Sequence, residues 1–385
     1  MAASKTQMAQ TRLDHLKEVI AADTASGLYY GMVLKITRGG ETVFHEAIGH
    51  GDKDKSIPLR TDSVFSVFSI TKAFINVLIL RGIELGRFAL TTKVVDLIPE
   101  FTGKPRDRST ILNLLTHTTG MPGVWEPRPG MFLDRLDELV EAVCANIHGI
   151  AEPGERCDYA PIANHVLMGE ILRRTDPKGR AITEILTEDL FQPLGMTDTS
   201  LGLRRDLKPR HIVPDMRGII PVKNMGRDHP GDFGLYEQEF CEAPHVGVAS
   251  SCESLSRFVE MLRGGGMLDG VHILSPRTVR MARQNWTGDM PNELYKMVAL
   301  RAGYEVPPAY IGFGFNVRGT RIVHHQLGTL TSPETFGNYG AGTGVFWIDP
   351  ELDMTFTALS AGLLSQAANI DRFQRLSDIA VGAAL

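Results

Sequence analysis

The sequence predicts an α+β fold in which strands from both ends of the chain share one sheet and a helical middle is inserted as a second lobe. Strand signals occur near residues 32–48 and return between 311 and 359, whereas residues 90–230 carry helical patches separated by Pro/Gly turns. Helical patterns also open and close the chain. The division read from this is residues 1–85 with 240–385 for the sheet-bearing part and 86–239 for the insertion, including a long irregular loop at about 205–239.

The elements follow in order. Leu13, Leu16, Val19 and Ile20 recur at helical spacing. Met32–Ile36 is rich in β-formers, Arg38-Gly39-Gly40 reads as a hairpin turn, and a second strand follows over 41–48. From Ser69 to Leu85 the chain is apolar on nearly every side, which marks a buried helix, and Gly86 suits its stop. In the middle, Met121-Pro122-Gly123, Pro153-Gly154 and Pro193-Leu194-Gly195 punctuate helical patches such as 162–173. A helix is expected at 254–263. Strands are expected at 311–317, 344–348 and 354–359, and a last amphipathic helix at 363–381.

With 385 residues, 43% hydrophobic and 22% charged, the chain has the composition of a globular protein with a substantial core. Its 40 Lys and Arg against 45 Asp and Glu form no basic stripe, which argues against nucleic-acid or anionic-membrane partners. Cys144, Cys157, Cys241 and Cys252 are dispersed without a CxxC pair, so neither a disulfide scaffold nor a thiolate zinc site is indicated. The first residues lack a continuous apolar stretch of the signal-peptide kind, and Ala73–Leu80 is too short to cross a bilayer. A cytoplasmic, reduced protein is the expectation.

Ser69-Ile70-Thr71-Lys72 carries the sharpest chemical signal. Ser69 is the only serine with a lysine three positions later, a spacing that puts both side chains on one helical face. The neighbouring Phe65, Phe68, Phe74 and Ile75 would desolvate Lys72 and ease its deprotonation. The alternative is an N-cap serine beside a solvated lysine, and a chain of this composition holds roughly one such pair by chance. Two further segments stand out. Pro153-Gly154-Glu155-Arg156-Cys157-Asp158-Tyr159 is a turn running into a tyrosine before a helix, where half-buried core is the alternative role. Phe336-Gly337-Asn338-Tyr339-Gly340-Ala341-Gly342-Thr343-Gly344 leads into a strand, and its glycines would let backbone amides approach a ligand, the alternative being an ordinary hairpin.

Taken in this order, Ser69-x-x-Lys72, Tyr159 and the Gly-containing triplet resemble the serine β-lactamase/penicillin-binding-protein superfamily, class C β-lactamases and family VIII carboxylesterases in particular. Leu114–Gly120, Pro193–Thr199 and Phe346–Pro350 add to the likeness, which runs from about residue 30 to 360. The resemblance implies an antiparallel sheet built from both chain ends and a site between it and the helical insertion. It implies Ser69 as nucleophile, Lys72 as its partner and Tyr159 as base or proton shuttle. Asn338-Tyr339-Gly340 stands in the place of the Lys-Thr-Gly triplet, and the amides of Ser69 and Ala341 would form an oxyanion hole. In such a pair Lys72, as a cation, would lower the pKa of Tyr159 while burial lowers its own, so either residue can serve as the base.

Two departures bear on substrate. Pro161 replaces the asparagine that follows the tyrosine in β-lactamases, with Asn164 further on, and Asn338 replaces the cationic lysine. The implied function is a serine hydrolase acting on a small-molecule carboxylic ester through an acyl-enzyme on Ser69. An acyltransferase passing the group to an amine or alcohol is the alternative, followed by a weak β-lactamase or peptidase and an inactive binding protein. His324-His325 is placed to line the site and supply a missing charge, whereas His117 is assigned a structural hydrogen bond. No HExxH-like pattern occurs, and no metal or other cofactor is expected.

Overall fold

The computed structural model describes residues 7–215, 226–227 and 234–385. Its strands are β1 (Gly31–Arg38), β2 (Glu41–Gly49), β3 (Val64–Ser66), β4 (Thr199–Leu201), β5 (His211–Ile212) and β6 (Val248–Ser251). There follow a small hairpin, β7 (Met267–Leu268) with β8 (Val271–His272), and β9 (Asn316–Val317), β10 (Phe336–Gly340), β11 (Gly344–Asp349) and β12 (Met354–Ala361). The helices are α1 (Gln10–Ala25), α2 (Thr71–Glu84), α3 (Val94–Leu97), α4 (Ile111–Leu115), α5 (Leu136–Asn146) and α6 (Ala163–Thr175). They continue with α7 (Ile182–Leu186), α8 (Gly234–Glu237), α9 (Cys252–Arg263), α10 (Pro276–Ala282), α11 (Glu293–Ala302) and α12 (Gln366–Val381). Among the described residues no helix is long and apolar enough to cross a membrane.

The two chain ends meet in a six-stranded antiparallel sheet of order β2-β1-β12-β11-β10-β9. Gly39 and Gly40, at φ +60° and +83°, make the β1–β2 turn that two left-handed residues favour. β1 and β12 are buried along their whole length because helices cover both sheet faces. On one side α1 and α12 place Leu13, Leu16, Phe373 and Leu376 against Trp347 and Phe356. On the other, α9 crosses β1, β11 and β12.

A second, four-stranded sheet, β4-β6-β3-β5, takes β3 and β6 from the flanking segments and β4 and β5 from the middle. Beside it α5, α6 and α7 pack on one another, and α6 packs on α2. Every residue of α2 from Thr71 to Leu80 is buried, as the all-round apolar pattern predicts, and Gly86 follows it at φ +70°.

Two segments differ from expectation. Only 316–317 of the strand expected over 311–317 joins the sheet. A Cβ on Gly312 would lie 1.9 Å from the Ala282 carbonyl oxygen, and one on Gly314 would lie 2.2 Å from the Asn76 side chain. The chain is thus pressed between α10 and α2 and turns instead of extending. The glycine-rich run over 336–344 is the hairpin given above as its alternative: residues 336–340 form β10, 341–343 make the turn, and β11 begins at Gly344. Of the loop expected at 205–239, residues 211–212 form β5 and 234–237 form α8, while 216–225 and 228–233 lie outside the described residues.

Candidate active site

Strand β3 delivers the chain to a sharp elbow. Phe68 takes φ +49°, an unusual conformation for a bulky residue, and a single 3-10 turn over Phe68–Ile70 then leads into α2. Ser69 sits on this turn, partly exposed, with Lys72 buried one helical turn beyond. Lys72 Nζ lies within hydrogen-bond distance of Ser69 Oγ, at 3.0 Å, and donates to the carbonyl oxygen of His245 at 2.7 Å. Tyr159, ninety residues along the chain, donates its hydroxyl to Ser69 Oγ at 2.9 Å. The structure therefore brings Ser69, Lys72 and Tyr159 together around one oxygen.

Tyr159 is held from two sides. His117 (φ +54°) accepts the Asp158 amide on its carbonyl oxygen at 2.9 Å. Its Nδ1 accepts from the Ala160 amide at 3.2 Å and from Asn164 Nδ2 at 3.1 Å, which places its proton on Nε2. This is the structural role expected of His117, and Asn164 serves the same clamp by donating to Leu114 O at 3.1 Å. From the other side Asn292 Oδ1, at the start of α11, accepts the Tyr159 amide at 3.4 Å. The Glu293 amide reaches Cys157 O at 3.0 Å.

Burial decides the proton states here. It drives Lys72 well below the ordinary lysine value, which favours the neutral amine that can accept a proton. Burial pushes Tyr159 up to about 12, outweighing the lowering by its hydrogen bond to Ser69. The expectation that a cationic Lys72 would lower the tyrosine is thus corrected: desolvation moves the two groups in opposite directions. His117 is pushed down to about 3, and His165 and His245 also lie well below the usual range, so all three imidazoles around Lys72 are neutral.

Strand β10 closes the site. A Cβ on Gly340 would sit 2.4 Å from the Val67 carbonyl oxygen and 3.3 Å from Phe68 Cβ, so glycine is what lets the strand lie against the Ser69 elbow. Ala341 lines the Ser69 cleft. The turn beyond it is anchored by buried Arg372, which donates to Gly342 O at 3.2 Å and Ser360 Oγ at 3.0 Å. Asn338 lies in the floor beside Ser69, Lys72 and Tyr159. Its amide is committed to the scaffold, Nδ2 donating to Gly314 O at 3.1 Å and Oδ1 accepting from Asn316 Nδ2 at 2.9 Å. Tyr339 donates to Asn316 Oδ1 at 3.2 Å and packs edge-on against Tyr295.

The Ser69 cleft, about 660 Å³ including its mouth, is walled by Phe68, Trp125, Leu133, Ile162, Tyr236 and Leu294 among others, with Pro161 where β-lactamases carry an amide. Apart from Lys72, the described residues lining the cleft and its floor include no Lys, Arg, Asp or Glu. The histidine pair does not fill that gap. His324 and His325 line a neighbouring cavity behind Tyr339, and burial pushes His325 down to about 4. The sequence reading missed His245, Asn292, Tyr295 and Trp125. A helical pattern over 293–302 was the one available signal, and it is weak because only Ala299 is buried.

A family model described as Beta-lactamase matches residues 16–380, and the chain belongs to that family. Protein Rv1367c of Mycobacterium tuberculosis is 27% identical over 364 residues, covering 86% of this chain and 85% of its own. Among solved structures, a penicillin-binding protein homologue from Caulobacter crescentus superposes with TM-score 0.77 at 23% identity, over 98% of this chain and 99% of its own. A family VIII carboxylesterase superposes with TM-score 0.78 at 20% identity, over 97% of each chain. These likenesses bear on the fold, which is the β-lactamase-like arrangement that the sequence resemblance implies.

Proposed function

We propose that this protein is a serine hydrolase that cleaves uncharged carboxylic esters through an acyl-enzyme on Ser69. The observation carrying this reading is a single oxygen, Ser69 Oγ, held at 3.0 Å from a desolvated amine and 2.9 Å from a protonated phenol, in a cleft whose described lining holds no Lys or Arg besides Lys72 and no Asp or Glu. A serine hydroxyl needs a base to become nucleophilic, and neutral Lys72 is that base. Ser69 Oγ attacks the ester carbonyl as its proton passes to Nζ. The backbone amides of Ser69 and Ala341 receive the oxyanion, each such donor being worth about 3 kcal/mol.

Tyr159 then gives its proton to the departing alkoxide or phenoxide and recovers one from Lys72. Water reverses the sequence to release the acid. Protonated Lys72 is disfavoured by burial, which drives its proton onward and keeps the cycle moving. Among the described residues the lining holds no Lys or Arg besides Lys72, so a substrate carboxylate finds no charged partner there, which is why uncharged esters are the class proposed.

The test combines fluorophosphonate labelling with product analysis. A stoichiometric adduct on Ser69 and release of acid and alcohol from a short-chain aryl ester are the expected results. Added alcohol or amine that diverts the acyl group from water would instead assign acyl transfer as the main reaction. Failure of both labelling and turnover would sink the proposal.

A further inference from the structure

Behind Tyr295 and Tyr339, which line both spaces, lies a second, partly open cavity of about 550 Å³ including its mouth. Asn316 connects it to the catalytic floor as well. Its wall includes Tyr304 and His324, stacked face to face at 3.7 Å with an interplanar angle of 1°. Among the described residues lining it, Glu305 is the only carboxylate and is paired with Arg321, and there is no Lys or Arg.

One polar group there is unaccounted for. Gln326 is 2% exposed, and its Nε2 has no hydrogen-bond partner. Its orientation follows from its neighbours. Arg372, which can only donate, gives a 2.5 Å hydrogen bond to Asn369 Oδ1; Asn369 Nδ2 must then donate, and it reaches Gln326 Oε1 at 3.1 Å. The amide end of Gln326 is therefore a spare donor, and a buried donor left unpaired is costly enough to call for a partner.

We propose that this cavity is the leaving-group subsite and that Gln326 selects esters of phenols bearing an uncharged oxygen acceptor at the end remote from the ester. This rests on the ester-hydrolase reading above and adds the alcohol half of the substrate to it. The aromatic lining suits a planar ring, the described walls offer a charged one no Lys, Arg or unpaired carboxylate, and the spare amide supplies a directional contact. A site built around a buried donor rejects an analogue that lacks the acceptor, because the donor is then sealed off unpaired.

The test compares 4-acetylphenyl acetate with its near-isostere 4-isopropylphenyl acetate, using phenyl acetate as the parent ester. The ratio of kcat/KM for acetyl over isopropyl should fall about three- to tenfold in Gln326→Met, through KM, since differences in phenol acidity cancel between the two proteins. A second measurement needs no variant: 4-hydroxyacetophenone should inhibit the wild-type protein at a concentration several-fold lower than 4-isopropylphenol. Equal inhibition by the two phenols, or a selectivity ratio unmoved in folded Gln326→Met, overturns the subsite. Wild-type protein that turns over none of the three esters overturns the ester-hydrolase reading instead, so the two failures are distinguishable.

Discussion

Gly340→Ala adds one methyl group at the closest approach between β10 and the nucleophile elbow. Gly340 is not in the left-handed region, so alanine is conformationally admissible there and the effect comes from contact alone. The new Cβ would lie 2.4 Å from the Val67 carbonyl oxygen, whereas contacts below 3.4 Å are already tight; relief takes a separation of about 1 Å. The obstacle is backbone on both sides, and Val67 is tied at its amide to Val248 O at 3.0 Å. β10 must therefore retreat, carrying Ala341 and its amide away from Ser69. A misplacement of about 1 Å costs on the order of a hundredfold in rate, or about 2.7 kcal/mol. Pre-steady-state release of the phenol from an aryl ester measures acylation directly, and fluorophosphonate titration gives the active fraction. Acylation slowed about a hundredfold, with KM changed far less and the circular dichroism spectrum retained, is the expected outcome. An acylation rate within threefold of wild type would refute the claim that β10 must touch the elbow.

Tyr159→Phe should lower kcat about 10²- to 10⁴-fold for an alkyl ester and much less for a 4-nitrophenyl ester, whose leaving group needs no proton. Equal losses for both would count against leaving-group protonation. Because the active amine is the neutral form and burial depresses its pKa, kcat/KM should rise with pH through a value well below the ordinary 10.5 of lysine. It should then stay level until Tyr159 loses its proton near about 12; an acid limb centred near 10.5 in the pH–rate profile of an uncharged ester would contradict the assignment. A chromogenic cephalosporin, whose carboxylate finds Asn338 in place of a cation, should turn over weakly at most, by one to two factors of ten below a short-chain aryl ester in kcat/KM. Faster cephalosporin turnover would overturn the substrate class. Asn292→Ala removes the acceptor for the Tyr159 amide and should lower kcat several-fold with a smaller change in Tm, as rates beside thermal unfolding would reveal.

The parts of this site that are local in sequence were legible before the fold. Ser69 and Lys72 are three residues apart on one face, and the uniformly apolar run after them identifies a buried helix. The sheet ends were readable because 32–36, 344–348 and 354–359 are short runs rich in Val, Ile, Leu, Phe and Thr, the β-formers of strands covered on both faces. Tyr159 came from the resemblance, since nothing in its own surroundings distinguishes it from core. What escaped is long-range. The contact between Lys72 and residue 245 is to a backbone carbonyl, which any amino acid supplies, so no sequence signal exists for it. Asn292 holds Tyr159 across more than a hundred residues, from a helix whose single buried residue gives almost no periodic pattern. The glycines of β10 read as letting a backbone approach a ligand, but what approaches Gly337 and Gly340 is the fold's own backbone, with carbonyl oxygens 2.0 and 2.4 Å from their Cβ positions. The direction of the tyrosine shift was misread for the same reason: the depth of burial that decides it is a property of the packed fold.

Mass mapping of a fluorophosphonate adduct tests the central claim most directly. The account predicts one adduct per chain on the peptide containing Ser69 in the wild-type protein. It also predicts no adduct and no ester turnover in folded Ser69→Ala. An adduct on another residue, or near-normal turnover by a pure Ser69→Ala preparation, would contradict it.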